Sequence, residues 1–246
     1  MEGPVQFWLL AAIAMVAVDA ASFPKKWKPC KNDQNLSACI KQSIYIAIPD
    51  LVKGMPKLGI FPTDPLHFEH LSIAKNAKSS VGVDLEFHDF DIIGLKNINL
   101  DQLQMDWKTL KVNASVPKVI AKGKYKADGK VLVLPVKGEG NCVLELDQFT
   151  TSATIYFTEK TVKGKKYYQI EKMSVPIDCQ NLKMKFEGLF KGDKAIGDQM
   201  NAFMNENWRA IFNEIGPAVS NALEQAFIVM GNRLFSKIPK DTITPP

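Results

Sequence analysis

Pro117-Lys118-Val119-Ile120-Ala121-Lys122-Gly123-Lys124-Tyr125-Lys126 is the stretch that decides the fold. Val119, Ala121, Gly123 and Tyr125 fall on one side of an extended chain and Lys118, Lys122, Lys124 and Lys126 on the other, with Ile120 the exception. Successive side chains of a strand point to opposite faces, so this spacing predicts a strand with one dry face. The pattern recurs at Leu182, Met184, Phe186, Gly188 and Phe190 against Lys183, Lys185, Glu187 and Lys191. Val81, Val83, Leu85 and Phe87 alternate with Asp84, Glu86 and His88, and Leu103, Met105 and Trp107 with Gln102, Gln104, Asp106 and Lys108. Further strands are expected at 130–137, 142–149, 152–160 and 166–175, with hairpin signals at Ala127-Asp128-Gly129-Lys130 and Val162-Lys163-Gly164-Lys165. These connections are too short for crossover helices, so the sheet is expected to be antiparallel and meandering.

The flanks of this region switch to a helical period. Ile40, Ile44, Ala47, Ile48, Leu51 and Val52 predict a helix over 37–52, kinked or shortened at Pro49 and stopped by Gly54-Met55-Pro56. At the other end, Asp198 is the expected N-cap, and Met200, Phe203, Met204, Trp208, Ile211, Phe212 and Ile215 form one stripe. Gly216-Pro217 should interrupt it before it resumes through Val219, Leu223, Phe227, Met230 and Leu234, for a helical element of about 50 Å in all. Phe227, Ile228, Val229 and Met230 are consecutive, so part of that element should be enclosed on most sides. An α+β fold satisfies both halves of the pattern: a strongly curved antiparallel sheet rolled around one long C-terminal helix. Small inner residues (Ala121, Gly123, Gly188) beside adaptable Met and Phe suit the wall of an apolar tunnel as well as a plain core.

The chain has 246 residues, 46% hydrophobic and 23% charged, which excludes disorder and a collagen-like repeat. Its formal charge of +5 is spread over short lysine runs with no basic block, which argues against a nucleic-acid partner. Phe7 to Val18 is an apolar run followed by small residues, and it reads as a signal peptide over 1–20, with cleavage after Ala20 or, nearly as well, Ser22. Residues 21–246 are then expected to be one secreted, extracellular domain. No window is apolar for the roughly 20 residues that a stable membrane-spanning helix needs. Cys30, Cys39, Cys142 and Cys179 would meet an oxidising compartment, where an even count favours two disulfides. Of the three pairings, Cys30–Cys39 with Cys142–Cys179 uses the shortest loop and then joins two strand ends. Asn35-Leu36-Ser37 and Asn113-Ala114-Ser115 are glycosylation sequons, at Asn35 and Asn113.

Catalytic chemistry lacks its parts. There is no GxSxG elbow, and the cysteines are accounted for more simply as disulfides than as nucleophiles. His67-Phe68-Glu69 matches half of a zinc deaminase motif without the PCxxC that should accompany it, and His67 and His70 have no third ligand at a recognisable spacing. Gly123 to Lys130 has one residue too many for a phosphate loop, and Gly138-Glu139-Gly140 lacks the third glycine of a dinucleotide fingerprint. The expectation is therefore no enzyme, no cofactor and no metal.

Several segments, in order, carry a resemblance. Cys30 and Cys39 bracket the start of the first helix; Gly54-Met55-Pro56-Lys57-Leu58-Gly59-Ile60 and Asp64-Pro65-Leu66 follow; then come Gly123-Lys124-Tyr125, the run Gly129 to Gly140, and Trp208 with Glu214-Ile215-Gly216-Pro217-Ala218. Together they resemble the insect takeout and juvenile-hormone-binding protein family over nearly the whole mature chain. The resemblance implies a tubular lipid-binding fold that encloses a tunnel, and a secreted carrier of a hydrophobic small molecule: juvenile hormone, another terpenoid, or a fatty acid. It also implies a second disulfide, since hormone-binding members have one where Cys142 and Cys179 stand. The inner faces at Val119, Ala121, Tyr125, Met184 and Phe186, with Phe203 and Phe227 of the C-terminal helix, are the expected ligand-binding residues. Tyr125 should either donate its hydroxyl to a ligand oxygen or hold it in solvent at the strand end. The protein is expected to be a monomer. The alternative reading, from the outward lysine rows, is a membrane-surface or microbial-lipid-binding interaction protein.

Overall fold

The computed structural model describes residues 23–74, 81–132 and 134–245, so the leader expected at 1–20 lies outside the described residues. The sheet is built on one long ribbon. Strand β4 (Thr109–Val131) pairs antiparallel with β5 (Leu134–Val162) from Thr109↔Tyr156 to Val131↔Leu134. At about 3.3 Å per residue a 23-residue strand has a contour near 75 Å. The other edges of the ribbon are shared out along its length. On the β4 side, β3 (Asn99–Met105) takes the first part and β2 (Val81–Ile93) the second, with β1 (Leu66–Ile73) beyond β2. On the β5 side, β8 (Asn181–Phe186), the short β7 (Ile177–Asp178) and β6 (Lys165–Ser174) follow one another, all antiparallel.

Helix α1 (Leu36–Lys53) precedes the sheet and α2 (Lys194–Glu206), α3 (Trp208–Phe235) and the one-turn α4 (Lys240–Ile243) follow it. The 28-residue α3 touches β1 and β2 near one edge of the sheet and β6, β7 and β8 near the other. One helix can meet both edges only if the sheet curls around it, which is the expected architecture.

Pairing β4 with β5 exposes a device that organises the whole sheet. Leu110, Ala114 and Val116 are buried before Pro117, whereas Val119, Ala121, Tyr125 and Ala127 are buried after it, so the inward parity changes from even to odd. Across the ribbon, Gln148 has φ 50, and the inward set changes there from Cys142, Leu144 and Leu146 to Phe149, Thr151 and Phe157. Pro117 has no N–H to give to its partner, so the ladder is broken at that point and both strands re-aim together.

Several boundaries differ from expectation: the second half of the strand expected at 130–137 and the strands expected at 142–149 and 152–160 are the single strand β5, and β8 ends at Phe186, before Gly188 and Phe190. β4 runs through Ala127–Lys130, and the chain reverses after Val131, not within that segment. Gly129 is there for close approach: a Cβ would sit 2.3 Å from the Gly82 carbonyl oxygen of β2. The second hairpin lies where expected, with Lys163 at φ 48 and Gly164 at φ 78. Asp193, and not Asp198, caps α2, its carboxylate accepting from the Ile196 N–H at 3.1 Å. The helical break falls at Asn207, while Gly216-Pro217 is carried inside α3. One proline removes a single N–H bond, and the packing of α3 inside the sheet outweighs that loss.

The cysteines divide. Cys30 and Cys39 are disulfide-bonded, with Cα atoms 5.8 Å apart. Cys142 and Cys179 are buried free thiols, which corrects the expected second bridge. Cys142 pairs with Phe186, whereas Cys179 follows Asp178, the partner of Thr150. Continuing that register sets Cys179 opposite Phe149, so seven positions of β5, about 23 Å of strand, separate the two cysteines, against the 7 Å between Cα atoms that a disulfide tolerates. Asn35 and Asn113 are both exposed, and Asn113 Nδ2 donates to Gln102 Oε1 at 3.1 Å.

Candidate functional site

The inner face of the curled sheet and the apolar side of α3 do not close on each other completely. Between them lies a cavity of about 350 Å³, within the range of small-molecule sites. It follows α3 from Ile211 to Phe227, about 24 Å at the helical rise, so the space is long for its volume. Phe87, Phe90 and Ile92 of β2, Val116 and Val119 of β4, Leu144 and Leu146 of β5, and Leu223 of α3 supply hydrocarbon. Ile48, Leu51 and Val52 of α1 cover the end where exposed Lys96 stands at the rim.

Of the expected site residues, Val119, Ala121, Tyr125, Met184, Phe186 and Phe227 line this cavity. Phe203 does not: it packs against the core from α2, and the neighbouring Met204 takes the cavity-facing position. Gly123 is not a thin piece of wall either. A Cβ there would lie 2.7 Å from the Asp89 carbonyl oxygen and 2.8 Å from Phe90 Cα, so the glycine admits the bulge of β2. Gly188, at φ 74, is excluded from the role in the same way by the Glu139 backbone. Of the three small residues expected on the wall, Ala121 is the one that lines the cavity.

Neither expected destination of the Tyr125 hydroxyl is the one observed. It donates to the Glu187 carbonyl oxygen at 2.8 Å, while its ring stands edge-on to Phe186 with centroids 4.7 Å apart. Burial favours the neutral phenol and pushes its pKa up to about 12. The ring belongs to the wall; the hydroxyl is committed to the protein.

Thr151 is a polar lining residue that sequence reasoning missed. Its Oγ1 is buried, has no hydrogen-bond partner among the described residues, and belongs to a side chain that lines the cavity. Phe149-Thr150-Thr151-Ser152 reads as a polar stretch, and only the parity change at Gln148 turns Thr151 inward. Thr151 pairs with Ala114 and Ile177, which places it toward the same half of the ribbon as Lys96. The far half, around Val131 and Val136, is hydrocarbon.

The free thiols offer no nucleophile. Burial pushes Cys142 up to about 12 and Cys179 up to about 11, so both remain protonated at neutral pH.

A long hydrocarbon channel between a curled antiparallel sheet and a C-terminal helix can now be set beside known proteins. The model of the haemolymph juvenile hormone binding protein family matches residues 8–245. The chain belongs to that family. Among curated relatives it is 24% identical over 237 residues to the circadian clock-controlled protein daywake of Drosophila melanogaster, covering 91% of this chain and 89% of that one. It is 21% identical over 210 residues to a putative beta-carotene-binding protein of Schistocerca gregaria, covering 84% and 82%. The crystal structure of Epiphyas postvittana Takeout 1 superposes with a TM-score of 0.78 at 24% identity, over 89% of this chain and 99% of that one, and so shares the fold.

Proposed function

We propose that this member of the family is a secreted carrier of an elongated, neutral, hydrophobic molecule that bears one hydrogen-bonding oxygen. The observation that carries the reading is the pairing of a narrow hydrocarbon cavity with a buried hydroxyl on its wall, Thr151 Oγ1, that has no hydrogen-bond partner among the described residues. Transfer of the ligand chain out of water supplies the affinity, at about 25 cal/mol per Å² of apolar area. The oxygen of the ligand satisfies Thr151, which sets which end enters first: head toward the half near Lys96, tail toward Val131 and Val136. An oxygenated terpenoid fits this description; the beta-carotene in the name of the Schistocerca gregaria relative shares the polyisoprenoid chain but has no oxygen to meet Thr151. Secretion is supported by the apolar run from Phe7 to Val18, the Cys30–Cys39 disulfide and the haemolymph family. Loading requires no cofactor and no second copy of the chain, and no catalytic step follows it.

The membrane-surface alternative rests on outward lysines, and several of these are already matched. Lys118 is paired with Glu145, Lys124 with Asp89 and Lys185 with Glu187. None of the helices is long and apolar enough to cross a membrane among the described residues.

Mass spectrometry of an organic extract of the purified secreted protein tests the reading directly. Recovery of a neutral, oxygen-bearing lipid at near one equivalent, and salt-insensitive uptake of the same compound by stripped protein, are the expected results. Stripped protein that takes up no neutral lipid but adsorbs to anionic vesicles at low salt would overturn it in favour of the alternative.

A further inference from the structure

On the side of the sheet away from the cavity, β1 and β2 bring together two of the chain's three histidines. His70 and His88 are directly opposed in the antiparallel register, and their ring centroids are 4.8 Å apart. Glu86 precedes His88 by two residues on the same strand, so both project from one face, and a Glu86 carboxylate oxygen lies 3.6 Å from His88 Nε2. The three ligand atoms lie within 4.8 Å of one another. Four-coordinate zinc with bonds of 2.0–2.2 Å needs ligand atoms about 3.3 Å apart. Rotamer adjustment in exposed side chains covers the difference. Lys124, across from His88 on β4, has its ammonium 3.1 Å from Asp89 instead.

We propose that His70, Glu86 and His88 form a surface site for a borderline divalent transition ion, of which zinc is the type. Two imidazoles and one carboxylate make a donor set that suits such an ion, while hard calcium and magnesium prefer sites of oxygen alone. Three protein ligands leave a fourth position to water or to a donor from another molecule. The spacing of His67 and His70 in the sequence does not reveal the site, because Glu86 and His88, two of its three ligands, reach His70 from β2 through strand pairing. His67 stands apart, with Nδ1 2.8 Å from Asp91 Oδ1. The proposal is independent of the cavity, since Glu86 and His88 point away from the space that Leu85 and Phe87 line. Bound metal would clip the edge strand β1 to β2, so the ion would stabilise the folded chain by mass action.

The test uses tag-free, chelator-stripped secreted protein titrated with zinc in a calorimeter, with calcium as the comparison ion. Wild type should take up one equivalent of zinc and no calcium, and its melting temperature should rise with zinc. His70→Ala and His88→Ala should each weaken zinc binding at least about tenfold and abolish the thermal shift, while His67→Ala keeps both. All three histidines are far enough from the core packing for the variants to fold, which unfolding midpoints in the absence of metal verify. Failure of wild type to bind zinc saturably, or binding that survives in both His70→Ala and His88→Ala, would overturn the site.

Discussion

Replacing Thr151 by valine should stabilise the empty protein and weaken its grip on an oxygenated ligand. The substitution keeps the branched shape and exchanges one hydroxyl for a methyl. Oγ1 is buried without a partner among the described residues, a condition that costs about 1 to 3 kcal/mol per group. Relief of even the lower figure should raise the urea midpoint without changing the slope, and raise the melting temperature by about 2 to 4 °C in a chain of this size. With a ligand bound the balance reverses. A neutral hydrogen bond contributes about 0.5 to 1.5 kcal/mol net, so the variant should bind an oxygenated terpenoid about 2- to 12-fold more weakly. A hydrocarbon analogue of the same shape should bind at least as well as before. Displacement of a fluorescent fatty-acid probe by the two compounds, in wild type and Thr151→Val, measures all four affinities. Loss of stability in the variant, together with equal loss for both compounds, would show that Thr151 is ordinary packing and would refute the assignment of the ligand's polar end.

Three further outcomes are expected. Tyr125→Phe leaves the Glu187 carbonyl without its donor, so it should lower stability by about 1 kcal/mol while ligand affinities change little; a selective loss for oxygenated ligands would restore Tyr125 to the polar contact. Alkaline pH should destabilise the fold through the same residue: an unfolded phenol ionises near 10, the folded one is held up to about 12, and the contribution, complete below the lower value, is lost as pH rises through that window. Unfolding midpoints against pH should therefore fall less steeply there in Tyr125→Phe than in wild type. Peptide mapping without reduction should find Cys30 linked to Cys39, with Cys142 and Cys179 unreactive toward a thiol reagent until the protein is unfolded; a peptide joining Cys142 to Cys179 would contradict the β5 register.

Much of the architecture is written in local periodicity. The alternation of Val119, Ala121 and Tyr125 with lysines, and of Leu182, Met184 and Phe186 with charge, required strands with one buried face whatever they packed against, because the two-residue period of a strand is a property of its backbone. The mismatch between a long helical pattern and a meandering sheet was likewise local information, and it implied that the sheet curls around the helix. Even the parity change in β4 was present in the order of residues, as even-numbered Leu110, Ala114 and Val116 before Pro117 and odd-numbered residues after it.

What tertiary structure alone decided is where those faces arrive. Thr151 reads as a surface threonine until the parity change at Gln148, opposite Pro117, turns it inward. Tyr125 reads as a ligand contact until Glu187, sixty-two residues away in sequence, places a carbonyl 2.8 Å from its hydroxyl. Cys142 and Cys179 look like partners until strand register sets them far apart along β5, and His70 has no companion ligands until β2 brings Glu86 and His88 beside it. Each of these depends on pairing between segments remote in sequence, and a single-residue change of register exchanges the two faces of a strand. Local pattern determines that a residue is buried; only the register and curvature of the closed sheet determine what it is buried against.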